Sequence, residues 1–143
     1  MATGLLAHVR VAGRWMKRLL VIGSALREVC ENQAALGMTF VEEAWTAPKY
    51  RLYSVDDSHA ALVEDTENGV SVRGELVDIA DDRWEEILAS EPPGITQEPV
   101  ELLDGRLVMA AFGDPEQMAA RGREITAFGD FAAYLRSLRT REH

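Results

Sequence analysis

The sequence is short of cysteine, histidine and cationic side chains, and each shortage removes a class of function. A single cysteine, Cys30, permits no internal disulfide and no thiolate metal cluster, which fits a reducing, cytoplasmic compartment. The three histidines, His8, His59 and His143, have no second His or Cys at ligand spacing, so no metal is expected. No cofactor is expected either, because there is no glycine-rich nucleotide fingerprint. Ser24 lacks the flanking glycines of a nucleophile elbow. Fifteen Lys and Arg against 24 Asp and Glu give a net charge of −9, which argues against nucleic acid and anionic membrane as partners. No segment approaches the roughly 18–20 apolar residues of a membrane helix. The first fifteen residues also lack the order of charge and apolar run that a signal peptide needs.

What is present is an ordinary globular composition, 47% apolar and 27% charged over 143 residues, enough for one core. Residues 1–15 read as a flexible N-terminal extension and 16–140 as a single domain. Arg18–Ile22 is a short apolar run of the kind a buried strand shows, and it ends in Gly23-Ser24-Ala25. Leu26–Leu36 has the spacing of one amphipathic helix or a helical turn, stopped by Gly37. Phe40–Thr46, Tyr50–Val55, Ala60–Glu64 and Val70–Ile79 read as strands, with a turn at Asp56-Asp57-Ser58 and a hairpin signal at Glu67-Asn68-Gly69. A helix follows Asp81-Asp82 and stops before Pro92-Pro93-Gly94. Asp104-Gly105 joins two more strands, Asp114-Pro115 opens a short helix, and Asp130 caps a C-terminal amphipathic one. Hairpin signals without regular βαβ alternation predict an α+β fold: a small mixed, mainly antiparallel β-barrel flanked by short helices.

Three features could carry chemistry. The small-residue turn Gly23-Ser24-Ala25-Leu26 can present main-chain N–H groups to a carboxylate. The stretch Lys49-Tyr50-Arg51 is the most cationic and hydrogen-bond-rich strand in an acidic chain, so Arg51 is a candidate to anchor a small anion and Tyr50 a candidate anchor and catalytic residue. Glu91, between a helix and a rigid Pro-Pro turn, is a candidate acid or base. No histidine is expected at this site, since His59 falls in a polar turn.

Three blocks resemble one family. They are Thr46-Ala-Pro-Lys-Tyr-Arg-Leu-Tyr53, Pro92-Pro-Gly-Ile95 with Val100-Glu-Leu-Leu-Asp-Gly-Arg106, and Glu124-Ile-Thr-Ala-Phe-Gly129 with Tyr134-Leu135. In this order they look like the C-terminal domain of allophanate hydrolases, over roughly residues 18–138. The resemblance implies a fold similar to gamma-glutamylcyclotransferases and an anion held by main-chain amides after the first strand, here Gly23 to Leu26. It implies a small urea-derived anion as ligand, decarboxylation of N-carboxycarbamate as the reaction, and a homodimer or a separate amidase as partner. The catalytic histidine expected ahead of the Thr-x-x-x-Tyr-Arg-Leu-Tyr block is absent from Phe40–Trp45. The alternatives are a cyclotransferase-like enzyme with Glu91 as general acid/base, although Ile22 replaces that family's tyrosine, and a non-catalytic scaffold.

Overall fold

A computed structural model describes residues 8–11 and 13–141. Among them, nine strands form one mixed sheet: β1 (His8–Val11), β2 (Arg14–Val21), β3 (Met38–Trp45), β4 (Tyr50–Val55), β5 (His59–Glu64), β6 (Arg73–Ala80), β7 (Ile95–Glu101), β8 (Leu107–Gly113) and β9 (Arg123–Glu124). Three α-helices flank it: α1 (Asp81–Ser90), α2 (Pro115–Arg121) and α3 (Phe131–Arg141). The order across the sheet is β3-β6-β2-β8-β5-β4-β9, with β1 added to β2 and β7 to β8. Pairing is antiparallel except where β8 meets β2, at Leu19 opposite Met109, and β5, at Leu62 opposite Phe112.

The α+β architecture with a mainly antiparallel sheet is therefore as expected, but the sheet is not closed into a barrel. Its path ends at β3 on one side and β9 on the other. A lone bridge, Thr46 opposite Leu102, joins the end of β3 to the chain just after β7. Thr46 holds Val72 at that corner from both sides, its amide donating to Val72 O and its hydroxyl accepting from the Val72 amide, each at 2.9 Å.

β2 is central because it is apolar on both faces: Leu19, Leu20 and Val21 are all buried. β6 lies beside it, with Leu76, Val77 and Ile79 at 0% exposure. Helix α3 covers the main core with Phe131 and Tyr134, and Asp130 caps it by accepting from the Ala133 amide at 2.7 Å. A smaller core joins Val55, Ala61, Ile95 and Met118 beneath α2, whose Asp114 cap accepts from the Gln117 amide.

Several local expectations change. Leu26–Leu36 is not one helix. A turn closed by Val29 and Cys30 amides on Leu26 O is followed by a 3-10 turn at Gln33–Leu36. The hairpin expected at Glu67-Asn68-Gly69 is absent, because β5 and β6 are not neighbours in the sheet. Gly69 serves instead as a point of close approach. A Cβ there would sit 2.2 Å from the backbone of Lys49, and Val70 next to it bridges to Tyr50. Of the extension expected over 1–15, residues 1–7 and 12 lie outside the described residues. His8–Val11 pairs in register with Arg14–Lys17.

Candidate functional site

β2 delivers its C-terminal end to a turn that cannot tolerate bulk. A Cβ on Gly23 would meet the amide nitrogen of Ala60 at 2.9 Å, so glycine is what lets β5 pack against the turn. The turn is pinned from beneath by Glu75 on β6, a carboxylate only 2% exposed. It accepts from the Arg27 amide and Nε, both at 3.0 Å, and from Gln33 Nε2 at 2.8 Å. The Arg27 guanidinium also lies over the Phe40 ring, 3.5 Å from its centre. Gln33 Nε2 and Cys30 Sγ both donate to the Ala25 carbonyl, turning it inward. Among the described residues, the amides of Ser24 and Ala25 donate to no acceptor in the protein, whereas Leu26 donates to Gly23 O.

Above this turn lies a cavity of about 380 Å³. Gly23, Ser24 and Ala25 form one wall. Another is a face of α1 carrying Arg83, Glu86, Ile87 and Ser90, the i, i+3, i+4, i+7 positions that helical geometry brings to one side. Arg83 donates to Ala35 O at 3.3 Å and lies 3.5 Å from Glu86, so its charge is engaged at the rim. Glu91 closes that wall. It follows the last residue of α1 in an extended conformation, as a residue before proline must. Its Oε2 accepts from Gln97 Nε2, on β7, at 2.7 Å.

Gly23, Ser24, Ala25 and Glu91 are thus brought together, from positions almost 70 residues apart along the chain. Leu26 is beneath them, 1% exposed, and contributes packing rather than a wall. Tyr50 and Arg51 are not brought to the cavity. Tyr50 is buried on β4, edge-on to Phe112, and its hydroxyl accepts from the Glu101 amide at 2.9 Å. Burial pushes its phenol above the ordinary value, and that accepted hydrogen bond opposes the shift. Arg51 pairs with Glu124 and donates to the Asn68 carbonyl, so its fork is occupied within the protein.

Sequence reasoning missed His59, Arg83 and Gln97. His59, placed outside the site by its polar context, is the first residue of β5 and lines the cavity, with Nδ1 3.1 Å from Ser58 Oγ. Its neighbour Ala60 is the residue that packs on Gly23, so the small-residue turn itself was the available signal.

An α+β protein of this topology, with an amide-lined turn after a central strand, has known counterparts. The sequence profile of the allophanate hydrolase C-terminal domain matches residues 17–136, and the chain belongs to that family. No curated protein matches it. A solved structure of a protein specific to uropathogenic Escherichia coli is 29% identical, with TM-score 0.75, over 84% of this chain and 95% of that one. Allophanate hydrolase from Kluyveromyces lactis is 21% identical with TM-score 0.76, over 85% of this chain but 21% of that larger one. A Pyrococcus horikoshii protein is 22% identical with TM-score 0.65, over 88% of this chain and 98% of that one. The fold therefore occurs within the Kluyveromyces lactis enzyme and also as nearly the whole of two other chains. Among the described residues, no helix is long and apolar enough to cross a membrane.

Proposed function

We propose that the cavity binds a small carboxylate on the Ser24 and Ala25 amides, with Glu91 orienting the ligand's nitrogen and His59 acting as its proton donor. Family membership supports a setting in urea and allophanate nitrogen metabolism, and on this reading N-carboxycarbamate is the substrate and decarboxylation the reaction. The observation that carries the reading is the meeting of unpaired main-chain donors and a carboxylate across one cavity. As a C–N bond breaks and CO2 leaves, the electron pair remains on nitrogen and takes a proton. Glu91 orients that nitrogen through its N–H, and His59 is positioned on the same cavity to supply the proton. A cytoplasmic setting and an amidase partner that produces the substrate go with this reading.

A second reading is favoured by the Gln97–Glu91 hydrogen bond, since an amide N–H donor suits a carboxylate acting as base. In a cyclotransferase-type reaction Glu91 would take a proton from an attacking amine and return it to the departing one.

Both are tested by soaking crystals with malonate and, separately, a gamma-glutamyl dipeptide, and by assaying Glu91→Gln. Malonate on the Ser24 and Ala25 amides is expected. With an amidase generating N-carboxycarbamate, the unaltered chain should accelerate CO2 release and Glu91→Gln should not. Malonate bound away from the turn, or full activity in the variant, would discard the assignment.

A further inference from the structure

We infer that Arg83 is the second anchor of the cavity and sets its specificity: it takes the other carboxylate of a dianionic ligand whose first carboxylate lies on the Ser24 and Ala25 amides. This rests on the small-carboxylate reading above and supplies what that reading leaves open, the group that compensates the second charge. A dianion leaves water only where each of its charges meets donors. Two main-chain amides serve one carboxylate. Among the described residues, Arg83 is the one arginine or lysine on the cavity wall, where the other ionisable groups are His59, Glu86 and Glu91.

Arg83 is placed by backbone rather than by a close carboxylate. Arg18, Arg27 and Arg73 each meet an Asp or Glu oxygen at 3.0 Å or less. Arg83 has Nη2 at 3.3 Å from the Ala35 carbonyl and Nε at 3.5 Å from Glu86, both longer than the roughly 2.7–3.2 Å of a good N–H···O bond. A guanidinium carries about five N–H donors in a planar fork that matches a carboxylate, so most of this one is unused. Its position is nonetheless defined. A Cβ on Gly37 would meet Arg83 Nε at 3.0 Å and Cζ at 3.3 Å, so the guanidinium lies directly on bare backbone. Ala35 and Gly37 belong to the end of the 3-10 turn whose first residue, Gln33, donates to the Ala25 carbonyl at 2.8 Å. One short turn thus ties the amide donors to the cation.

The acidic groups on the same wall do not occupy this end. Arg83 is in the first turn of α1 and Glu91 follows the last, roughly 12 Å further along the axis. Glu86 is nearer, but its side chain is 63% exposed and stays solvated when a ligand carboxylate takes its place beside the guanidinium.

Malonate and malonamate differ only in one carboxylate replaced by a carboxamide. At neutral pH, calorimetric titration should find malonate tighter by about tenfold or more, the contribution of one charge-assisted hydrogen bond. Arg83→Gln, checked for folding by its thermal melt, should bring the two affinities within about twofold of each other and leave that for malonamate unchanged. Malonamate binding the unaltered chain as tightly as malonate overturns the inference and leaves the small-carboxylate reading standing. A preference for malonate that survives Arg83→Gln overturns the role of Arg83. Binding of neither ligand overturns the reading beneath, and the inference with it. Should Arg83→Gln not fold, a malonate-soaked crystal of the unaltered chain decides. The second carboxylate is expected within hydrogen-bonding distance of the Arg83 guanidinium, and one turned to Glu91 or to solvent overturns the inference.

Discussion

Two polar regions of the sheet have opposite fates. Around β4 the cations are neutralised internally: Lys49 reaches Glu101 at 2.6 Å, and Arg51 is shared between Glu124 and the Asn68 carbonyl. Around the Gly23–Ala25 turn, by contrast, two main-chain amides and the side-chain oxygens of Gln33 and Gln97 are left without partners among the described residues. In an acidic chain, a dense cationic stretch marks where the fold satisfies itself. A site for a ligand is better marked by groups that the fold leaves unsatisfied.

The contrast breaks most severely at Glu75. Glu75→Ala removes the acceptor of the Arg27 amide and one of the two acceptors of the Gln33 amide, and should destabilise the protein by about 2–3 kcal/mol in urea denaturation. Carboxylate binding should be lost along with the shape of the turn, as a calorimetric titration would show. Undiminished binding would mean that the turn holds itself. Gly23→Val should cost about 1–3 kcal/mol, because Ala60 must move to admit the side chain. Thermal melts would read the cost, and affinity should fall with it. Arg51→Ala is the smallest change. The pair with Glu124 is partly exposed, so stability should drop by less than about 1 kcal/mol. Affinity should stay within measurement error. A loss of about tenfold in the Arg51 variant would erase the distinction between the two regions.

Local signals were legible wherever the chain decides its own conformation. Asp114-Pro115, Asp130 before Phe131 and Asp104-Gly105 all do what short-range chemistry dictates. The turn after β2 and the extended backbone of Glu91 before Pro92 were legible as conformations for the same reason, since each is set by its immediate neighbours. Arg51 and Tyr50 were misleading because their partners, Glu124 and Glu101, lie 73 and 51 residues away in sequence. Nothing near Arg51 shows that it is already occupied. His59 and Gln97 were missed because neither has a local motif, and only the parallel pairing of β5 with β8 and the β7–β8 pair bring their strands to the same wall. The barrel was over-read from the number of hairpins. Strand count sets how much sheet exists, while closure depends on whether β3 and β9 find partners, and the alternating pattern carries no information about that.

The tip of the β4–β5 hairpin has a reach beyond its size. Asp56 and Asp57 both adopt φ of 55°, and Asp57 Oδ1 takes hydrogen bonds from the Tyr134 hydroxyl at 2.7 Å and Ser54 Oγ at 2.9 Å. Tyr134 belongs to the last helix, and His59 stands two residues beyond Asp57. Trimming that helix, or replacing its tyrosine with phenylalanine, would cut a guy-line that runs to the wall of the cavity. A change made at the far end of the polypeptide would then be felt first as a wandering imidazole.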